Sequence, residues 1–254
     1  MIRLSERLNR IATYLIDCES IADIGTDHAY LPIYIAQSGN AKKFILTDIN
    51  EGPLQKAKLN CEKYLSNDSS TQYSSNIGDG LIPMFSFRIG DGLIPIANGE
   101  VEACVIAGMG GELIVNILSA DKVKTDSIKR YVLQPRTKCD ELRQWLCENK
   151  YSIIAEDLAK ERGKICEIIV VSTEKSTGGE SLNQLDYLLN NNNPLFEEYL
   201  MQKIGTEERI LEGLANSKRK EDEGLSELIE RERLSLERIE IFSNYLVGLT
   251  DIKL

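Results

Sequence analysis

Short apolar runs alternate with amphipathic stretches between residues 20 and 173. The runs have the length of strands, and the stretches repeat apolar residues at helical spacing. The predicted strands are residues 20–25, 43–48, 85–89, 101–107, 130–134, 151–157 and 165–173, and the predicted helices are residues 4–16, 29–37, 53–65, 111–119 and 138–149. This alternation is typical of a mostly parallel sheet with crossover helices, so we predict an α/β fold with a seven-stranded, doubly wound sheet.

Two of the predicted helices carry start signals. Pro53 suits the first turn of its helix, because its φ is fixed and its missing N–H would have no partner there. Thr137 is placed to cap the helix that contains Trp145, since a threonine hydroxyl can accept a hydrogen bond from a free N–H at a helix start. We expect both helices to begin beside these residues.

The composition changes after Thr173, first to Ser-Thr-Gly-Gly and then to a run of asparagines at 190–193 that is typical of a loop. We therefore predict two domains, residues 1–174 and 180–254. In the second, helical spacing connects Leu225, Leu228, Ile229, Leu236, Ile239, Phe242 and Leu246. The pattern predicts a helical, coiled-coil-like hairpin whose apolar stripe is the seam between two helices, with a substrate-gripping arm as the alternative interpretation.

A tandem repeat interrupts the predicted sheet. Ile-Gly-Asp-Gly-Leu-Ile-Pro occurs at residues 77–83 and again at residues 89–95. The second copy follows Phe-Ser-Phe, which alternates as a strand does, whereas the first follows polar residues. Only one copy can occupy one place in the sheet, so we predict Asp91, and not Asp79, at the strand end.

The composition places the chain among cytoplasmic proteins. Its six cysteines include no C-x-x-C pair and several stand in apolar runs, which predicts reduced, structural thiols. Arg3, Glu6, Arg7 and Arg10 interrupt any leader-like apolar run, and no segment has the roughly 20 apolar residues of a membrane span. We expect no membrane and no metal partner, and the oligomeric state stays open with a monomer favoured.

The net charge of −10 argues against a polyanionic partner, because phosphate neutralisation supplies most nucleic-acid affinity. One segment has a positive net charge although the whole chain is acidic. Residues 122–138 contain six basic residues and one acidic residue. Two interpretations stay open for it, a local positive patch and an ordinary solvated rim.

The turn after the first predicted strand carries the most specific chemistry. In a doubly wound sheet this turn holds the cofactor, and a dinucleotide enzyme would have G-x-G-x-x-G there. Here Gly25 is followed by Asp27 at the second glycine position, and Asp23 stands just before. Carboxylates repel a pyrophosphate but favour a sulfonium and an ammonium group. The turn therefore predicts S-adenosylmethionine as the cofactor.

Three other predicted strands end in residues that suit an adenosyl ligand. Asp48 can accept hydrogen bonds from both ribose hydroxyls. Asp91, between Gly90 and Gly92, can accept from the adenine amino group. Residues 107–111, Ala-Gly-Met-Gly-Gly, carry little side-chain bulk, so a cofactor and a flat substrate can approach the backbone there.

His28 closes the predicted cofactor turn, residues 23–28, and Tyr30 follows it. A single histidine beside a helix start is more typical of a hydrogen-bonding or packing residue than of a base, although His28 remains a catalytic candidate. Tyr30 is expected to fill the core, with stacking on a base as the alternative.

The residues of the first 170 positions resemble the bacterial tRNA (adenine-22 N1)-methyltransferase family, TrmK. The matching segments are Leu4-Ser5-x-Arg7-Leu8, Asp23-Ile24-Gly25-x-Asp27-His28-Ala29-Tyr30-Leu31-Pro32, Gly52-Pro53, Arg88-x-Gly90-Asp91-Gly92-Leu93, Ile106-Ala107-Gly108-Met109-Gly110-Gly111, Leu133-Gln134-Pro135 and Arg143-x-Trp145-Leu146. Three features depart from the family: Asp48 replaces a usual Glu, Arg136 replaces a usual Asn, and the Gly-Asp-Gly segment is repeated.

The resemblance implies a class I, Rossmann-like S-adenosylmethionine-dependent methyltransferase domain and a helical arm that together hold tRNA. N1 of adenine has a free lone pair, so a base is not required and positioning dominates. The residues expected to bind the cofactor are Arg7, Asp23, Gly25, Asp27, His28, Asp48, Gly90, Asp91, Gly92, Ala107, Gly108, Met109 and Gly110, and the catalytic candidates are Asp27, His28 and Met109. Gly108 and Gln134 are expected to help hold the adenine, and Arg7 and Arg136 to meet phosphate.

Other functions stay open on the sequence. A methyltransferase of the same fold acting on a small molecule or a protein is the first alternative, because a fold alone does not fix a substrate. A non-catalytic tRNA- or cofactor-binding module is the second. A dinucleotide oxidoreductase is the most distant, because of the charge at Asp27.

Overall fold

The computed structural model describes residues 2–38, 41–65, 84–174, 183–217 and 225–252. The chain divides into two compact units, Met1–Leu182 and Asn183–Leu254, and each is described by itself. The first copy of the repeat, with Asp79, lies outside the described residues. Among the residues that are described, no helix has both the length and the apolar character needed to cross a bilayer.

The first unit is built on one seven-stranded sheet, as predicted. Its strands are β1 (Ser20–Ile24), β2 (Lys43–Asp48), β3 (Met84–Ile89), β4 (Ala103–Met109), β5 (Arg130–Pro135), β6 (Ser152–Glu161) and β7 (Lys164–Ser172), in the order β3-β2-β1-β4-β5-β7-β6. The first five run parallel, while β7 is antiparallel to both of its neighbours. The strand order reverses between β1 and β4, and such a switch point opens a ligand crevice at the carboxyl ends of the strands.

Strand β4 is buried on both of its faces. Ala103, Cys104, Val105 and Ile106 are each 0% exposed, since helices cover both faces of a parallel sheet and leave no polar side. Burial of a side chain as large as that of Val105 or Ile106 adds about 1.5–3 kcal/mol. The six cysteines form no disulfide within the described part of the chain, and Cys18, Cys61 and Cys104 are buried as small apolar side chains.

Helices surround this sheet at nearly the predicted positions. They are α1 (Glu6–Thr13), α2 (Tyr30–Ser38), α3 (Glu51–Leu65), α4 (Gly111–Ser119), α5 (Lys122–Asp126) and α6 (Cys139–Glu148). Pro53 lies in the first turn of α3, as expected. The cap predicted at Thr137 is wrong: Lys138 precedes α6 with φ +54 and makes no side-chain cap, while the carbonyl of Thr137 accepts from the N–H of Gly111 at 2.8 Å.

The hairpin of β6 and β7 extends further than predicted. β6 continues to Glu161, four residues beyond the predicted end, and Glu161 pairs with Lys164. The turn lies at Arg162 and Gly163, which have φ +50 and +78. Left-handed residues at both turn positions match the twist of a two-residue hairpin, so the pairing continues to the tip.

The second unit contains α7 (Gln184–Asn190), α8 (Phe196–Ser217) and α9 (Leu225–Ile252). The predicted hairpin corresponds to α8 and α9, and α7, capped by the side chain of Asn183, was not predicted. The predicted seam is partly wrong, because Ile229 and Leu236 are 51% and 54% exposed. The more buried face of α9 passes through three of the predicted seam residues, Ile239, Phe242 and Leu246, and through Ser235, which was not predicted.

Candidate functional site

A cleft of about 530 Å³ opens at the carboxyl ends of β1 to β4. Its walls are residues 23–31, 47–50, 90–92 and 107–109, together with Arg7, Leu8, Leu113, Ile117 and Arg136. Every residue predicted to bind the cofactor lines this cleft except Gly110. Gly110 lies before α4, where a Cβ would come 3.3 Å from the hydroxyl of Thr137.

The turn after β1 is tied to the end of β2. The N–H groups of Gly25 and Thr26 both donate to the carbonyl of Thr47, at 2.8 and 3.0 Å. Gly25 has φ +73, and a Cβ there would lie 2.3 Å from Cε of Met109. Only glycine fits this position without displacing Met109.

The next residues of the same turn store backbone strain. Ala29 has φ +56, a left-handed conformation that costs a non-glycine residue about 1–2 kcal/mol. The side-chain amide of Asn60 donates to the carbonyl of His28 at 3.0 Å and supports this geometry. Strain of this kind persists where the surroundings hold it, most often at ligand sites.

Asp23 contributes a carboxyl group to the cleft floor. Removal from bulk water raises its pKa to about 6. The carboxylate form is therefore costly in this cleft, and a cationic ligand would relieve that cost.

Asp27 and His28 form a polar pair on the cleft wall. His28 Nε2 lies 3.1 Å from Asp27 Oδ2, and their side chains are 40% and 68% exposed. The His28 ring stacks on Tyr30, with centroids 5.2 Å apart and planes 14° from parallel. Tyr30 is 36% exposed and lines the cleft, so the expectation that it fills the core is wrong.

Asp48 and Asp91 stand on adjacent walls. Asp48 Oδ1 accepts from the N–H of Asn50 at 2.7 Å, and the Asp48 carbonyl accepts from the N–H of Gly90 at 3.0 Å. Asp91 lies two residues after the end of β3 and is exposed, which agrees with the choice of the second repeat copy.

The segment that carries Asp91 is held by charged side chains. Arg88 pairs in bidentate geometry with Glu100, at 2.7 Å for both contacts, and also donates to the carbonyl of Pro95. The ammonium group of Lys124 donates to the carbonyls of Leu93 and Ile94. These contacts fix the loop after β3.

Arg7 and Gln134, expected to meet phosphate and to help hold the adenine, are hydrogen-bonded to partners within the protein. Arg7 Nε donates to Glu161 at 2.8 Å and its NH1 donates to Gln134 Oε1 at 3.1 Å, so the charge expected to meet phosphate is paired inside the protein. Gln134 is 2% exposed and lies behind Gly108, so it cannot reach an adenine edge.

The basic segment at 122–138 does not form one patch. Lys122, Arg130 and Lys138 pair with carboxylates on three different elements. Arg136 differs from these three, because it is exposed and lines the cleft, with its guanidinium 3.4 Å from the position of a Cβ at Gly108. For most of the segment the solvated-rim interpretation holds.

Several wall residues were not predicted as site residues, among them Thr47, Asn50, Leu113 and Ile117. Thr47 and Asn50 flank Asp48 at the end of β2, so the strand end was a usable signal. Leu113 and Ile117 are four residues apart on α4 and therefore share one helix face.

Comparisons with known proteins agree on one family. The family model described as a methyltransferase domain matches residues 4–169. The tRNA (adenine(22)-N(1))-methyltransferase of Bacillus subtilis is 37% identical over 169 residues, which are 66% of this chain and 65% of that protein. The chain thus matches slightly less than two thirds of that relative.

Solved structures match over nearly the whole chain. The B. subtilis M1A22 tRNA methyltransferase TrmK is 30% identical, with a TM-score of 0.75 and coverage of 97% of this chain and 100% of that one. M. capricolum TrmK, in complex with the cofactor product S-adenosyl-homocysteine, is 28% identical, with a TM-score of 0.71 and coverage of 96% and 99%.

Proposed function

The chain belongs to the TrmK family of tRNA (adenine(22)-N(1))-methyltransferases, and on that premise we propose that it transfers a methyl group from S-adenosylmethionine to N1 of adenine 22 in tRNA. The observation that carries the proposal is the set of carboxylates on the cleft walls, from Asp23, Asp27, Asp48 and Asp91. A tRNA substrate implies a cytoplasmic location.

The cleft suits this methyl donor chemically. A sulfonium and an ammonium group would neutralise carboxylates that burial disfavours, above all Asp23. Asp48 is placed to accept from ribose hydroxyls and Asp91 from the adenine amino group. The hydroxyl of Thr47 is buried in the same wall and has no hydrogen-bond partner in the part of the chain that is described.

Catalysis in this proposal is positioning. The bound donor supplies an electrophilic methyl group, and N1 of adenine attacks through its own lone pair. The protein's residues hold the base in line and exclude water. His28 and Tyr30 present a stacked pair of rings to the cleft, beside the exposed carboxylate of Asp27. That carboxylate is placed to stabilise the positive charge that develops on the methylated base.

Labelled methyl transfer to unmodified tRNA tests the proposal. We expect transfer by the wild-type protein and a kcat about 100-fold lower in Asp27→Asn, because the substitution removes a charge aimed at the developing cation. Asp140→Asn is the matched control, since the Asp140 side chain is 67% exposed, against 68% for Asp27, and lies on α6. A folded Asp27→Asn variant with wild-type kcat would refute this role.

The position of Arg136 supports the proposal that the substrate carries phosphate groups, because Arg136 is an exposed cation on the wall of a cleft that is lined by several carboxylates. We expect Arg136→Gln to weaken tRNA binding roughly five- to tenfold and to lower the salt slope of log K by about one. Titrations at several salt concentrations measure both. Lys129→Gln removes the same charge at the other end of β5, just before the strand begins. It should change neither the tRNA affinity nor the salt slope. Equal effects of the two variants would leave Arg136 without a specific contact.

A further inference from the structure

Gln134 is a buried amide beneath the wall of the cleft. Its Oε1 accepts two hydrogen bonds, from the N–H of Gly108 and from NH1 of Arg7, each at 3.1 Å. Its Nε2 donates to the carbonyl of Pro135 at 2.8 Å. Both ends of the amide are therefore engaged within the protein, and the residue is 2% exposed.

The bond to Gly108 repairs a break in the sheet. β4 and β5 pair regularly up to Ala107 and Gln134, and the register then shifts between Ala107 and Met109. Gly108 bulges out of the ladder with φ +78, and pairing resumes where the N–H of Arg136 donates to the carbonyl of Met109 at 2.8 Å. A bulge leaves one residue without a ladder partner, and Gln134 supplies that partner.

Arg7 determines which way the amide points. A guanidinium group only donates, so it selects the Gln134 orientation in which Oε1 faces both Arg7 and Gly108. Glu161 holds Arg7 in turn, through a 2.8 Å contact at the tip of the β6–β7 hairpin. Contacts from α1, β5 and β6 thus converge on a single N–H in β4.

The bulge sets the position of Met109. The Met109 methyl group fills the space over Gly25 so closely that no Cβ fits there. Displacement of Gly108 would therefore move Met109 against the turn that is proposed to hold the methyl donor. Because misplacement by about 1 Å costs up to 100-fold in rate, a fixed bulge is worth more than its hydrogen bond alone suggests.

We propose that Gln134, oriented by Arg7, is a positioning residue that fixes Gly108 and Met109 and thereby sets the rate of methyl transfer. The inference rests on the proposed function for its rate readout. Its geometric part, the hold on the Gly108 N–H, is independent of that function.

The test compares Gln134→Leu with Gln134→Glu in the full chain. Leucine keeps the bulk but leaves Gly108 and Arg7 without an acceptor, so kcat is expected to fall about 30- to 100-fold with the donor KM changed less than about threefold. Glutamate keeps the acceptor and is expected to recover at least about tenfold of that loss. Gln144→Leu, the same change at an exposed position on α6, should leave kcat unchanged.

Hydrogen–deuterium exchange at residues 105–110 provides a second readout. We expect faster exchange at Gly108 in Gln134→Leu and in Arg7→Met, the latter serving if the leucine variant does not fold. The double variant should lose less rate than the product of the two single losses, because the residues act through one contact.

Three results would overturn the proposal: wild-type exchange at Gly108 in both single variants, a glutamate variant as slow as leucine, or a loss confined to the donor KM. Wild-type protein that methylates no tRNA would instead refute the proposed function, and exchange alone would then decide the role of Gln134.

Discussion

The Gly25→Ala variant is expected to lose about 10- to 100-fold in affinity for S-adenosylmethionine. At φ +73 the new Cβ would lie 2.3 Å from Cε of Met109, so Met109, which lines the cleft, must move. Relief of such overpacking costs about 1–3 kcal/mol, and a ligand that needs the original space must reverse the movement. Isothermal titration with the donor measures the loss.

Gly99→Ala is the control that separates the effect of backbone strain from the effect of the contact between the new Cβ and Met109. Gly99 has a similar φ of +66, but a Cβ there meets nothing within 4 Å. Both variants should lose about 1–2 kcal/mol of folding stability to the left-handed backbone, and only Gly25→Ala should lose donor affinity. Wild-type affinity in Gly25→Ala, or an equal loss in Gly99→Ala, would contradict the assigned role of the turn.

Asp23→Asn is expected to stabilise the ligand-free protein at pH 7 by up to about 3 kcal/mol and to weaken donor binding. Burial raises the pKa of Asp23 from 3.8 to about 6, so the folded state binds the proton more tightly than the unfolded state. The favourable contribution is complete below about pH 4 and is lost as the pH rises to about 6, at 1.36 kcal/mol for each pKa unit.

Denaturant unfolding at several pH values checks this sign. Between about pH 4 and 6, the wild-type protein should lose more stability with rising pH than Asp23→Asn does, since asparagine does not titrate. Over the same range, wild-type donor affinity should rise with pH, because the cationic donor binds the carboxylate form. Parallel stability profiles for the two proteins would show that Asp23 ionises normally in the fold.

The sheet and the cofactor turn were predictable from the sequence because both follow from local patterns. Buried strands such as β2 and β4 are continuous apolar runs, and parallel strands bring their carboxyl ends to one edge. Asp48 and Asp91, far apart in the chain, could therefore be placed on one cleft before any contact was known.

The residue that precedes each copy of the repeat also distinguishes the two copies. Arg88 precedes the second copy and pairs with Glu100, whereas Asn76 stands at the equivalent position before the first. An asparagine cannot form the bidentate ion pair that holds the loop after β3. The second copy is thus selected by charge as well as by strand propensity.

Side-chain partners across the sheet could not be predicted. Gln134 ends a strand at the cleft, which suggested contact with a base, but the bulge at Gly108 turns its amide inward. Arg7 pairs with Glu161, which lies 154 residues away in sequence. Such contacts depend on register and rotamer, and single-sequence periodicity specifies neither.

Mapping of the methyl group on tRNA is the most direct test of the central claim. Unmodified tRNA transcripts are incubated with the protein and labelled S-adenosylmethionine, and the modified nucleotide is then identified. We predict a methyl group at N1 of adenine 22, and none in a matched transcript with guanine at that position. Methylation at another nucleotide, or of a protein or small molecule with none in tRNA, would contradict the account.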